Sequence, residues 1–341
     1  MRPSAAIAVT LLALGACAPG EEAARNDALP AVPDSLTPPP ALGAAIAGFE
    51  TPESVRYDAT QDAYFITNIN GGPGAKDGNG FITRVHADSL GFPMMRWIAS
   101  GRNNVVLDAP KGMALVGDTL WVADIDQVRA FHRRTGAPLG GVDLAPEGAV
   151  FLNDIAIGGD GALYVTDTGI RIGVGGETTA PGPFRIFRLQ NGVATVAVQG
   201  DTLGRPNGIA WDGAARRFVL APFGSPTIST WAPGDVAPTP FAAGPGTYDG
   251  IEVIGDGRVL LTSWADSSLY EMDAAGALRR LVAGLDSPAD IGWDPRRRRV
   301  AVPLFTENRV VFYDLDPAGA AAAAAGAPAV ADSADSATRR P

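Results

Sequence analysis

Three observations predict an all-β fold, specifically a six-bladed β-propeller. Strand-like apolar runs are short and bounded by turn residues, which 42 Gly and 28 Pro supply. No strongly amphipathic helix interrupts them. One pattern recurs six times at a spacing of about 47 residues, the size of a four-stranded blade. Two packed β-sandwiches would account for the strands but would not need a single repeat at this period.

The copies are "ESVRYDATQDAYFITNI", "KGMALVGDTLWVADI", "NDIAIGGDGALYVTDT", "NGIAWDGAARRFVLAPF", "DGIEVIGDGRVLLTSW" and "ADIGWDPRRRRVAVPLF". Each has a polar start, a short apolar strand, a turn and a second apolar strand. The first five start at Glu53, Lys111, Asn153, Asn207 and Asp249; in the sixth the acid, Asp290, stands one residue in. Runs such as "GFITRVHAD" and "PFRIFRLQNG" lie between the copies, and their alternating apolar positions complete each blade. These elements place the propeller at residues 46–316.

The flanks read differently. Met1-Arg2 followed by the apolar run Ala5 to Ala16 is too short to span a bilayer. With Leu14-Gly15-Ala16-Cys17 it resembles a bacterial lipoprotein signal, which predicts a signal peptide at 1–17 and lipidation of Cys17. A plain secretory signal is the alternative; both predict export from the cytoplasm, and the lipoprotein signal predicts anchoring in the cell envelope, periplasmic or at the outer membrane. Residues 18–45, with "PAVPDSLTPPPALG", read as a disordered tether, and 317–341 as a low-complexity Ala-rich tail. A formal net charge of −10 argues against nucleic-acid or anionic-membrane partners, leaving the lipid as the expected membrane contact. The chain is expected to act as a monomer.

The polar starts carry the chemistry. In a propeller the innermost strand of each blade lines the central channel, so the six starts should converge on one axis at one mouth. Three carboxylates, two amides and one ammonium there would be costly to bury uncompensated. Oxygen ligands with surplus negative charge suit a divalent cation, and Ca²⁺ best tolerates a mixed carboxylate and amide shell. Zinc would want His or Cys; His86 and His132 fall in outer-strand segments and Cys17 outside the domain. A metal-free polar plug, with Lys111 as built-in counter-cation, is the competing reading. If Lys111 pairs with Asp290, Glu53 and Asp249 remain for a metal. Asp154, next to Asn153, is expected to brace the neighbouring blade or cap a turn.

The triplets "PES", "LND", "PNG" and "YDG" at successive blade starts resemble the senescence-marker-protein, gluconolactonase and regucalcin family, over residues 50–315. That family is similar in architecture to diisopropylfluorophosphatase and the paraoxonases. The resemblance implies metal ligation by Glu53, Asn207 and Asp249, with Asn153 touching the metal or orienting substrate. Lys111 and Asp290 depart from the better-known members, where neutral residues stand.

Two functions follow. The first is a calcium-dependent hydrolase of the lactonase or esterase type, acting on a small-molecule substrate. In it Asp249 serves as general base or nucleophile, and Asn153, Lys111 and Asp290 contact substrate. The second is a non-catalytic propeller that binds a ligand or protein, its polar ring purely structural. "KDGNG" (Lys76 to Gly80) reads as a turn or a loop over the channel mouth, and "DPRRRR" (Asp294 to Arg299) as a solvated turn.

Overall fold

The computed structural model describes residues 40–173 and 177–315; the segments read as signal peptide, Cys17, most of the tether and the Ala-rich tail lie outside them. All described residues belong to one compact unit. Six four-stranded antiparallel sheets form the six blades, and no α-helix occurs among the described residues. The innermost strands are Pro52–Asp58, Pro110–Val116, Leu152–Ile157, Pro206–Asp212, Tyr248–Ile254 and, in blade 6, the short Gly292–Asp294. Inner strands of successive blades pack side by side around the axis.

Blade 6 takes only three strands from the C-terminal segment. Its outermost strand is Ala41–Ala47, which pairs antiparallel with Arg309–Asp314 from Ala41 opposite Asp314 to Ala47 opposite Arg309. The folded domain therefore begins within the stretch read as tether. Alanine and glycine dominate "ALGAAIA", so its strand signal is weak. Pairing fixes the strand, and burial of Ile46 and Phe49 against Tyr57, Tyr64 and Phe312 anchors it.

Apolar burial follows the ring. One buried cluster occupies each junction between neighbouring blades, from blades 6 and 1 round to blades 5 and 6. Alternation places one face of every sheet on the preceding junction and the other on the next, so no blade buries its faces alone.

The inner strands share one irregularity that bears on function. Their pairing with the second strand shifts register between Pro52 and Val55, Pro110 and Met113, Leu152 and Ile155, Pro206 and Gly208, and Tyr248 and Ile251. The polar starts sit in these bulges, which turn the strand and re-aim a side chain toward the axis. In blades 1, 3 and 5 a threonine of the second strand satisfies the freed amide: Ser54 N donates to Thr67 Oγ1 (2.9 Å), Asp154 N to Thr166 Oγ1 (2.9 Å) and Gly250 N to Thr262 Oγ1 (2.8 Å).

Glycine follows the polar start in blades 2, 4 and 5 because the next blade's backbone is there. A Cβ on Gly250 would lie 2.5 Å from Ile291 N and 2.6 Å from Asp290 Cα. Gly250→Ala is expected to cost about 2 kcal/mol through this overpacking. Urea unfolding of variant and parent checks it; an unchanged midpoint would mean that the blades slide apart freely.

Candidate functional site

Five of the six predicted ring residues come together. Glu53, Lys111, Asn153, Asn207 and Asp249 form the polar floor of a cup at one mouth of the channel, with a volume of about 270 Å³. All five are buried. Each is held by the bulge in its own strand and by the loop that leads into it. In three blades the last residue of the second strand ties that loop down. Asn68 Oδ1 accepts from Glu50 N (3.0 Å), Asp124 Oδ1 from Ala109 N (2.8 Å), and Asp167 Oδ1 from Phe151 N (2.9 Å).

The floor carries unmatched polar atoms. Glu53 Oε2, Asp249 Oδ1 and the Trp264 indole Nε1 are buried without a hydrogen-bond partner. Asn153 Nδ2 donates to Thr168 Oγ1 (3.2 Å), which directs the amide nitrogen away and leaves its oxygen for the cup. Burial, and then the neighbouring Asp154 charge, push the Asp249 carboxyl up to about 8, with the Trp264 indole and Asn207 amide opposing that rise. Burial and then Asp249 hold Glu53 well above the usual carboxylate range, and Lys111 offsets this only in part. Two carboxylates confined beside each other are thus short of positive charge.

Lys111 does not pair with Asp290. Its ammonium donates to the Ala109 carbonyl (3.0 Å) and lies 4.4 Å from the centre of the Phe151 ring. Burial lowers its pKa, against the charges of Glu53 and Asp124.

Asp290 is the predicted residue that the structure removes from the cup. The parallel bridge between Ser54 and Asp290, with Asp290 N bonded to Glu53 O (2.9 Å) and Val55 N to Asp290 O (3.2 Å), fixes the register. Pro288-Ala289-Asp290-Ile291 therefore matches Pro52-Glu53-Ser54-Val55, and Ala289 holds the sixth ring position. A one-residue offset sends a side chain elsewhere. Asp290 Oδ2 accepts from Ser54 Oγ (2.5 Å) and lies 3.8 Å from Arg56 Nη2, so it makes no substrate contact in the cup.

That second layer escaped sequence reading. Arg56 stands among Asp154 (3.8 Å), Asp290 (3.8 Å) and Glu252, to which it donates a hydrogen bond. It links blades 1, 3, 5 and 6 across the axis. Asp154 braces its neighbour as expected, accepting from Ile209 N of blade 4 (2.9 Å). The layer separates the cup from a second cavity of about 240 Å³ at the other mouth, lined by Arg56, Trp211 and Glu252. A signal for it existed. Third after the ring residue, the repeats read Arg56, Ala114, Ala156, Ala210, Glu252 and Gly292, so one complementary pair interrupts a column of small residues.

The cup wall was also overlooked. The residue just after each second strand is Ile69, Ile125, Thr168, Phe223, Trp264 and Phe305 in turn. All but Ile125 line the cup, joined by Phe151 and Ile170. Trp264 stands between Phe223 and Phe305, with ring centroids 5.5 Å away on each side. The "KDGNG" loop lies beside the mouth, where Gly78 N donates to Asp108 Oδ1 (2.9 Å) and Pro73, just before it, reaches the cup.

A bound divalent cation would have to be tested against these donors. Among the described residues no three His, Cys, Asp or Glu side chains converge as a ligand cluster. The floor instead offers two carboxylates with unpartnered oxygens and two amides, which is an oxygen-only set. It fits a hard ion such as Ca²⁺ and lacks the nitrogen and sulfur donors that zinc favours.

Comparison with known proteins agrees with this architecture. A gluconolactonase from Xanthomonas campestris superposes with a TM-score of 0.58 at 18% identity, covering 84% of this chain and 97% of its own. A calcium-binding regucalcin from Agrobacterium tumefaciens gives 0.58 at 14% identity, covering 79% and 90%. A chain of a nidogen/laminin complex gives 0.51 at 20%, covering 66% and 76%. At these identities the likeness concerns the fold. No curated protein matches the sequence. Residues 51–284 match the family described as SMP-30/Gluconolactonase/LRE-like region, and with two thirds of its length inside that match the chain belongs to this family.

Proposed function

We propose that this protein is a calcium-dependent hydrolase of the lactonase or esterase type. The observation that carries the reading is the pair of buried, unpartnered carboxylate oxygens of Glu53 and Asp249, set with two amides at the floor of an apolar cup. Family membership supports it. Glu53, Asn153, Asn207 and Asp249 would hold the ion. Bound there, Ca²⁺ supplies positive charge for a carbonyl oxygen and for the oxyanion that forms on attack. Asp249 accepts the proton of the attacking water at its free oxygen. The acyl carbon–oxygen bond breaks, the ring or leaving oxygen takes a proton, and a lactone gives a hydroxy acid. Lys111, pinned to the Ala109 carbonyl, adds a second positive charge beside the reacting centre. The protein would be exported, tethered through a lipid on Cys17 and monomeric.

A non-catalytic propeller is the second reading, and Lys111 favours it, because an ammonium beside Glu53 already supplies part of the missing charge. Calorimetric titration of chelator-treated protein with Ca²⁺, together with a screen of lactones and aryl esters, separates the two. Saturable Ca²⁺ binding, a higher melting temperature and metal-dependent turnover are expected. No binding, and no turnover with any added divalent ion, would leave the polar plug.

A further inference from the structure

Above its polar floor the cup offers almost nothing for a hydroxyl group to bond. The wall is apolar: Ile69, Phe151, Ile170, Phe223, Trp264 and Phe305 line it, with Pro73 and Ile172 beside them. Ile69 and Phe151 are buried, and the rest are half-buried. Thr168 is the polar member of the lining outside the ring, and its hydroxyl is used. Oγ1 donates to Pro206 O (2.9 Å) and accepts from Asn153 Nδ2 (3.2 Å). Trp264 adds one buried N–H to the lining. The polar groups of the cup thus gather where a carbonyl would react, and the walls around it are dry.

We infer that the cup selects lactones or esters carrying an apolar alkyl or aryl substituent, and rejects polyhydroxylated sugar lactones. This rests on the hydrolase reading above and names the substrate class of the same site. A carbonyl placed at the floor sends its substituent among the side chains of Phe223, Trp264 and Phe305. Each methylene buried there raises binding about fourfold until the cup is filled. An aldonolactone in the same pose would bring several hydroxyls against these rings. Every one stripped of water without a partner costs roughly tenfold in affinity. Aromatic walls also suit a flat aryl ester, which stacks at offset geometry.

The test compares kcat/KM for γ-butyrolactone, γ-heptalactone, γ-nonalactone and D-glucono-δ-lactone in the calcium-loaded full-length protein. Alongside, calorimetry follows the binding of 2-alkylcyclopentanones, cyclic ketones of the same shape that cannot be hydrolysed. The expected result is a rise of about fourfold per methylene in both series, a negative heat-capacity change on ketone binding, and D-glucono-δ-lactone the poorest substrate. Phe305→Ser lowers the ratio of nonalactone to butyrolactone turnover. Turnover of D-glucono-δ-lactone equal to or above that of γ-nonalactone would overturn the inference and leave the hydrolase reading standing. Absence of turnover with every substrate, but chain-length-dependent ketone binding, would remove the hydrolase and keep the apolar selectivity. Ketone binding indifferent to chain length would overturn the selectivity by itself.

Discussion

Asp249→Asn is expected to lower lactone turnover by roughly a thousandfold, the scale of a lost general base, while the fold survives. The substitution keeps size and shape, so the inner strand, its bulge and the contact with the next blade are undisturbed. It removes the basic carboxylate, whose Oδ1 has no hydrogen-bond partner. It also removes a charge that burial and Asp154 make unfavourable in the absence of a cation, so the chelator-treated variant should be at least as stable as the parent. With Ca²⁺ the order reverses, because the parent gains a carboxylate ligand that the variant lacks. Turnover, together with melting temperature measured with Ca²⁺ and with chelator, gives both readouts. A fall of less than tenfold with a normal Ca²⁺ response would take the base role from Asp249 and leave the metal site intact.

Arg56→Met should be the most destabilising single change at the axis, at about 3–5 kcal/mol, the usual loss when one partner of a buried ion pair is removed. Asp154, Asp290 and Glu252 would then face one another without a counter-charge. Burial already holds Asp290 well above, and Glu252 above, the usual carboxylate range even with the guanidinium present. A carboxyl whose pKa is raised on folding adds stability below its unfolded value and loses it as pH rises through the folded value. Without Arg56 those folded values climb further. The deficit should therefore be large at pH 8 and smaller at pH 5, where Asp290 and Glu252 take protons. Denaturant unfolding at the two pH values measures it, and Glu252→Gln in the same background should recover part of the loss. A deficit under 1 kcal/mol at pH 8 would mean that the axial layer carries no net energy.

Sequence periodicity revealed the blades because strand length, turn residues and polar starts recur together. The same repeat located Glu53, Lys111, Asn153, Asn207 and Asp249, since each occupies one phase of one strand. Asp290 was misplaced for a local reason. In "PADI" the acid stands one residue past the ring position, because the strand's register is counted from Pro288 and puts Ala289 in the ring. Arg56 and Glu252 are distant in sequence, and only the closed ring places them on one axis. The aromatic wall lies just past the strand ends, where large apolar residues equally suit a core. Its exposure to a cavity depends on how far blades 4, 5 and 6 are splayed, which no single repeat encodes. Alanine-rich "ALGAAIA" has too little strand character to announce itself, and it is a partner strand that settles its conformation.

That strand has a kinetic consequence. Residue 41 lies opposite residue 314, so the pairing that closes the ring joins the two ends of the described chain. Five blades are built from neighbours in sequence and can form as soon as each is available. The sixth must wait for the final strand and then find the first, across a loop that contains every other blade. Contact order is thus concentrated in one late event. Until it happens, blade 6 presents an unpaired edge, which makes the nearly complete ring the species most exposed to pairing with another chain.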